Sequence, residues 1–533
     1  MNLMKITLLL VLSILFNYQE LSATECVNWD ISKFSNSHSL FIEKIIIENL
    51  NIFDTRNTNE NLAFHKLANG LHIKTQKQVI QGDLLFQIGE KLEIQKLDET
   101  ERILRSRDYI KDAEITPYEV CGDMVSVLVK THDNWTLQPG VSFGSSGGKN
   151  KHSFELQEKN FLGLGKNLEF KYRKGYERTE KSIKYYDPAL FNSHLQVLLN
   201  YQNNSDGKLK YGSIKSPFYS LNTKNSWSID YLDWTLIHPL YDFGEISGEI
   251  GEIKKNYNFS FGRLLTPKES IYQRISFGYT VDESDFFTSE IYPDYTIPEY
   301  RNYKYPWVGY EFIKEDFIEK TNFHSMGRVE DVSLGHHLSA QIGQDFNNNS
   351  SHFALQYDKG IVFNDNNMIF INAYLNGIHL DNEFINTHFG SQLELYHVQS
   401  NDKLLYVSTN FDLGKNLFPE QRQYLGSETG LRGYPFRYFN GDKKFLATVE
   451  QRYFYNWYPL KTFKFASAIF LDAGSIWNTS EDREFHANLG VGFRLIPTRT
   501  SGGQVIHFDV STPLESTNGL DTLQFQITTK KSF

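Results

Sequence analysis

Apolar and polar positions change their spacing once along the chain. From Phe41 to about His132 helical and strand-like spacings are mixed, whereas from Trp135 to Phe533 apolar residues alternate with polar ones in segments of roughly ten residues, separated by Gly, Asn, Asp and Ser. In the stretch from Phe485 to Leu495 the odd positions are Phe485, Ala487, Leu489, Val491, Phe493 and Leu495, and the even ones are His486, Asn488, Gly490, Gly492 and Arg494. The same alternation runs through Asn167 to Arg173, Phe463 to Asp472 and Leu523 to Ile527. A strand turns successive side chains to opposite faces, so each segment reads as a strand with one apolar and one polar face.

The first region predicts a strand over Phe41 to Asn49. Thr75 with Gln78 then offers a capping box to a helix carrying Val79, Ile80, Leu84 and Ile88 and stopped by Gly89. Asp98 with Glu101 opens a second helix bearing Ile103 and Leu104. A strand over Ala113 to Val120 turns at Cys121, Gly122 and Asp123 into a return strand with Val125, Val127 and Val129 on one face. The order is strand, helix, helix, strand, strand.

One apolar run stands apart, Ile6 to Phe16, preceded by Lys5 and followed by the small residues Ser22 and Ala23. It reads as a secretory signal peptide over residues 1–23, with 24–40 as an N-terminal segment, 41–133 as the small α+β domain and 135–533 as the strand-rich domain. With mean hydropathy at -0.44 and no run of about 20 apolar residues, membrane-spanning helices are excluded. The two cysteines, Cys26 and Cys121, both lie in the first quarter of an exported chain, where they either pair as a disulfide or remain unrelated thiols. A net charge of -10 argues against nucleic acid as a partner.

A soluble sandwich and a membrane barrel both alternate, the barrel with its apolar face outward and a polar lumen. Three features favour an all-β transmembrane barrel: the signal segment, an aromatic content of 15% suited to interfacial girdles, and an alternating strand just before the terminal Phe533. Sixteen antiparallel strands at about 25 residues each, connections included, fit the length. A direct tally of candidate segments comes nearer twenty, an excess assigned to long strands counted twice and to hairpins inside loops.

At Gly430, Leu431, Arg432, Gly433, Tyr434 and Pro435 the sequence resembles the Arg-Gly-Tyr/Phe loop of the BamA/TamA family of outer-membrane assembly and two-partner-secretion barrels. The segment from Asn160 to Gly165, with Gly163 and Gly165, is similar to that family's early-barrel turn. Phe470 to Gly474 resembles the strand after the loop, and Leu523 to Ile527 with Phe533 its closing strand and C-terminal signal. Five strand candidates follow the loop, as a sixteen-stranded family barrel would leave. The N-terminal unit is similar to a single polypeptide-transport-associated (POTRA) domain. Two features depart from the family's essential assembly member: one such domain rather than several, and Lys530 and Lys531 close to the terminal Phe.

Parity puts Asp472, Glu450 and Arg452 on the lumen face. A loop over about 412–443 folded into the lumen would deliver Arg432 to Asp472 and Glu450, and a guanidinium suits bidentate pairing there. Parity permits this lock, and the resemblance implies it, with Gly433 and Tyr434 as its other loop residues.

Three catalytic-looking motifs have simpler readings. Gly144, Ser145, Ser146, Gly147, Gly148 matches a hydrolase nucleophile pattern but lies between strands rather than before a helix. His336 and His337 are neighbours that face opposite sides of a strand, so no shared metal is expected. Arg328 with Glu330 and Asp331 reads as a lumen or rim charge network. No catalytic residue, metal site or cofactor is expected, and the chain is not expected to be an enzyme.

The resemblance implies a Gram-negative outer-membrane barrel, its POTRA domain in the periplasm, that assists insertion, assembly or translocation of polypeptides. Its implied partners are an exported polypeptide client, captured by strand addition, outer-membrane lipids and accessory assembly proteins. A passive channel or structural surface antigen is the alternative.

Overall fold

The computed structural model describes residues 26–29, 40–146, 148–268, 270–321, 329–364, 366–498, 505–515 and 520–530. The expected signal peptide, Arg328, Lys531 and Phe533 lie outside these residues.

Among the described residues the N-terminal region carries four strands and three α-helices: β1 (Cys26–Asn28), β2 (Phe41–Leu50), α1 (Ala63–Leu71), α2 (Lys77–Gly82), α3 (Ile94–Arg105), β3 (Ile110–Cys121) and β4 (Met124–Asp133). The strands form one sheet in the order β1-β3-β4-β2. The expected strand, helix, helix, strand, strand order is therefore corrected by one helix and one short edge strand. The Thr75 capping box does not form either. The N-cap of α2 is Gln76, without a side-chain cap, and the Thr75 hydroxyl accepts a hydrogen bond from Asn160 Nδ2 at 2.9 Å instead. A tertiary partner has outcompeted the local cap.

Two units divide the chain, one of Met1–Glu48, Leu84–Glu101 and Glu114–Lys130, the other of Asn49–Asp83, Arg102–Ala113 and Thr131–Phe533. The division does not follow the expected 41–133 domain, because α1, α2 and the end of α3 belong with the strand-rich region. In the first unit Leu40, Ile42, Phe86, Leu97, Ile115, Val125, Val127 and Val129 form the interior. There Cys26 stands opposite Cys121 in the β1–β3 register and is joined to it by a disulfide.

In the second unit twenty antiparallel strands close into a barrel, from Leu137–Ser146 to Gln524–Lys530. The expectation of sixteen is corrected to twenty. Five strands follow the Arg432 loop, as expected: Lys443–Tyr455, Phe463–Trp477, His486–Pro497, Val505–Pro513 and Gln524–Lys530. The four additional strands thus precede the loop, where several hairpins turn on two residues, as between Leu195–Asn204 and Gly207–Ser216. Each alternating segment there is one real strand, so the direct tally was right and the discount was not.

The outward face is apolar. Phe259, Phe277, Leu393, Val449, Ile469, Val491, Phe493 and Phe525 are all exposed, while their strand neighbours point to the lumen. No described helix is long and apolar enough to cross a membrane. In the strands, every backbone group can pair with a neighbour in the closed sheet, which is what a bilayer demands.

Candidate functional site: the filled lumen

The loop between Lys403–Lys415 and Lys443–Tyr455 runs over 416–442, slightly shorter than the expected 412–443. Its two arms pair as a small ribbon, Gln423–Leu425 with Phe439–Gly441. Leu425, Leu431 and Tyr434 from the loop cluster with Leu446 and Ile476 from lumen-facing wall positions. An apolar cluster inside an otherwise polar lumen draws the loop inward, since burying each large side chain stabilises by roughly 1.5–3 kcal/mol.

That seating brings Arg432 to the wall. Its Nε and Nη2 donate to both oxygens of Asp472 at 2.8 and 2.7 Å, and Nη1 donates to Glu450 Oε1 at 3.0 Å. The guanidinium lies over the Phe470 ring at 3.3 Å. Asp472 also accepts from Thr448 Oγ1 and Asn488 Nδ2, both at 2.9 Å. Glu450 Oε2 accepts from Arg452 Nε at 2.8 Å, and Arg494 Nη1 donates to Asp509 Oδ1 at 2.6 Å. Arg432, Arg452 and Arg494 balance Glu450, Asp472 and Asp509, and all six are buried. Buried charges persist only when paired and hydrogen-bonded in this way.

Glycines make the room. A Cβ on Gly433 would lie 2.4 Å from Asn488 Cβ, and one on Gly490 would meet the Phe470 ring at 2.3 Å. Tyr434, fully buried, points its hydroxyl to Ala487 O at 3.4 Å. Gln526, on the last strand, donates to Ser427 O at 3.1 Å, which ties the loop to the strand that closes the barrel. Arg494 and Asp509 were not singled out as lock residues from the sequence. Arg494 stands on the polar face already read there, and the alternation of His507, Asp509 and Ser511 with Ile506, Phe508 and Val510 marks Asp509 the same way.

A second segment enters the lumen from the opposite end. Between the barrel strands Arg301–Lys314 and His336–Asp345, the hairpin strands Phe317–Thr321 and Val329–Ser333 pair with each other. Val332 packs with Met368, Tyr396 and Leu404, with Ile318, Phe370, Tyr406 and Phe454 around them. These wall residues share parity with the lumen-facing Glu450 and Arg452, so the hairpin sits inside the barrel. Arg105, at the end of α3, holds it: Nε and Nη2 donate to Asp331 at 2.9 and 2.7 Å, and Nη2 donates to Glu319 Oε1 at 3.0 Å. Arg102 pairs with Glu315 and lies 4.8 Å from the Phe317 ring. Asp331, read as part of a rim network, is paired with α3.

The expected early-barrel turn is a packing site. Gly163 has φ +74° and Gly165 +68°, and a Cβ on Gly163 would meet Lys74 O at 2.5 Å. Asn160 Oδ1 accepts from Gly165 N at 2.6 Å, and Gly163 O accepts from Gln76 N at 2.9 Å. Near it Arg107 pairs with Asp83; burial works against its charge, but Asp83 more than compensates and raises its pKa.

The catalytic-looking motifs are not brought to one site. Ser146 ends one barrel strand and is in register with Lys149, which begins the next, so it is followed by a strand and not by a helix; Gly147 lies outside the described residues. His336 bonds Tyr357 Oη and His337 bonds Glu311, each at 2.9 Å. Cys26 and Cys121 meet at β1 and β3.

Among solved structures the chain is similar to CdiB from Escherichia coli (TM-score 0.46, 12% identity, 95% of this chain and 80% of that one). It is also similar to CdiB from Acinetobacter baumannii (0.44, 12%, 94% and 77%) and to BamA from Haemophilus ducreyi lacking POTRA domains 1-3 (0.34, 14%, 92% and 84%). A comparison with curated proteins found no match. The Omp85 superfamily domain matches residues 160–533, which takes in the lock, the hairpin and all but the first two barrel strands. The chain belongs to the Omp85 superfamily.

Proposed function

We propose that this barrel acts on its client through controlled opening and not as a standing pore, with its N-terminal sheet in the periplasm as a single POTRA-type domain. The observation that carries this reading is that two ion-paired segments sit inside the lumen, the Arg432 loop towards one end and the Arg105-held hairpin towards the other. A passive channel would gain nothing from two buried, ion-paired obstructions. The loop is bonded to the closing strand through Gln526, so a shift of that strand is felt at the loop and a shift of the loop at the strand. The client would present an extended segment and add to an exposed sheet edge, either in the small domain or between the first and last barrel strands. Accessory assembly proteins and lipids of the outer membrane are its further partners. No catalytic step, metal or cofactor belongs to this reading, and client folding supplies the driving free energy.

The test compares outer-membrane and secreted proteomes of a deletion strain complemented with the wild type or with Arg432→Ala. Loss of a few specific exported proteins, restored by the wild type alone, is the expected result and names the client. Unchanged proteomes with both proteins at normal levels would overturn the reading in favour of a channel or surface antigen.

A further inference from the structure

Helix α1 has three faces. His65 and Ala68 are buried, and Asn69 exchanges hydrogen bonds with the Phe53 backbone, so one side packs inward. Lys66 and Gly70 make a polar side. Between them Phe64, Leu67 and Leu71, at spacings of three and four residues, form one stripe that is 49%, 61% and 65% exposed. Leu62 and Ile73 extend it at either end, 48% and 53% exposed. Three large apolar side chains in water on one short helix would be a costly choice for a purely periplasmic surface.

The position of the helix says what covers the stripe. His65 Nε2 bonds Leu460 O at 2.9 Å, in the turn joining the barrel strands Lys443–Tyr455 and Phe463–Trp477. In the same turn Trp457 is 62% exposed and stacks on Phe465, 4.4 Å between centroids. Phe465 shares parity with the outward-facing Ile469 and Leu471, so Trp457 belongs to the aromatic girdle where the barrel's apolar band meets the headgroups. At the other end of the stripe, Gln76 bonds Gly163 O and Leu162 O at 2.9 and 3.1 Å, beside the exposed Phe161 and Leu162. The stretch from His65 to Gln76 is therefore fastened at both ends to turns of the barrel's rim. Its exposed apolar stripe is thereby held at the level of that rim, where the strands' apolar faces end.

We propose that α1 is an interfacial helix whose Phe64, Leu67 and Leu71 insert into the periplasmic leaflet of the outer membrane, anchoring the N-terminal region beside the barrel wall. An amphipathic helix lying in the headgroup region is the form such a sequence takes at a membrane, with Lys66 and Lys74 left toward water and lipid phosphate. The inference rests on the barrel's membrane assignment and the periplasmic reading of its entry end. It is independent of what the client is.

The full chain is purified and reconstituted in vesicles of phosphatidylethanolamine and phosphatidylglycerol. Leu67→Cys and, separately, Lys66→Cys are labelled with an environment-sensitive fluorophore; both native cysteines are in the disulfide and do not react. Leu71→Cys stands in if Leu67→Cys fails to fold, judged by heat-modifiable mobility in gels. The Leu67 label should emit to the blue and be quenched several-fold more by bromine-bearing acyl chains than the Lys66 label, and less by aqueous iodide. Equal iodide quenching at the two positions would overturn the proposal and point to a soluble partner. Self-quenching that rises with protein density, without lipid quenching, would overturn it in favour of a second copy.

Discussion

Removing the Arg432 side chain should weaken the barrel more than any other single truncation in the loop. Arg432→Ala deletes three charge-assisted hydrogen bonds and a stacked contact with Phe470, and leaves three buried carboxylates facing two arginines. Breaking a buried pair by removing one partner costs about 3–5 kcal/mol. Two features lower the figure here: Asp472 keeps Thr448 and Asn488, and Glu450 keeps Arg452. The expected loss is therefore about 3 kcal/mol, near the foot of that range. Arg432→Lys keeps the charge but loses the planar fork, and should cost about 2 kcal/mol, the worth of one hydrogen bond between charged groups. Urea unfolding of the reconstituted barrel, followed by tryptophan emission, measures both. A double-mutant cycle with Asp472→Ala should give a coupling of at least about 1.5 kcal/mol, as close charge pairs do. Additivity within about 0.5 kcal/mol would refute direct pairing. So would a swap, Arg432→Asp with Asp472→Arg, that recovers nothing of the loss from Arg432→Asp.

Three further outcomes follow from the same geometry. Gly433→Ala places a Cβ against Asn488, so the loop should fail to seat and external protease should cut the 416–442 segment faster, with the strands intact. Gly163→Ala meets Lys74 O at a positive φ, and should free the segment around Gln76, read as faster amide exchange at residues 72–80. Cys121→Ser removes a bridge spanning 95 residues, and by the chain-entropy account should destabilise the small sheet by about 4–5 kcal/mol, read as reductant-independent proteolysis of the N-terminal region.

Much of the wall was legible because strand parity is a local signal. Asp472, Glu450 and Arg452 reach the lumen for the same reason that Leu471 and Val449 reach lipid, and ten residues suffice to see it. What escaped was either short or held by distant partners. Helix α1 carries a helical spacing at Phe64, Leu67, Ala68 and Leu71, but it is only nine residues long, holds Gly70 near its end and has Leu62, with no capping side chain, at its N-cap, so no start or stop signal frames it. Thr75 has the chemistry of a cap, but its hydroxyl is taken by Asn160, 85 residues away. The hairpin in the lumen shows only as Val332 and Ile318 among charges, and its partners on the wall are scattered over four strands. The strand number was legible as a tally and was lost by preferring the family's usual count.

Twenty strands and the hairpin explain each other. Barrel diameter grows nearly in proportion to strand number, so this lumen is about a quarter wider than a sixteen-stranded one. A single loop that suits the narrower lumen would leave this one open at its entry end. The hairpin occupies part of that end, and it is carried by the part of the wall that precedes the Arg432 loop, where the additional strands lie. Its seat is apolar, against the general polarity of the lumen, so a charge placed there should expel it: Val332→Asp puts an unpaired carboxylate among Met368, Tyr396 and Leu404. Arg105→Ala should loosen it from the other side by freeing Asp331 and Glu319. In planar bilayers Arg432→Ala alone, with the hairpin seated, should conduct little above the wild type. Val332→Asp combined with Arg432→Ala should conduct well above either single variant, because both obstructions are then released. If Arg432→Ala alone already gives the full conductance of the pair, the hairpin does not close the barrel, and the link between barrel width and plug is wrong.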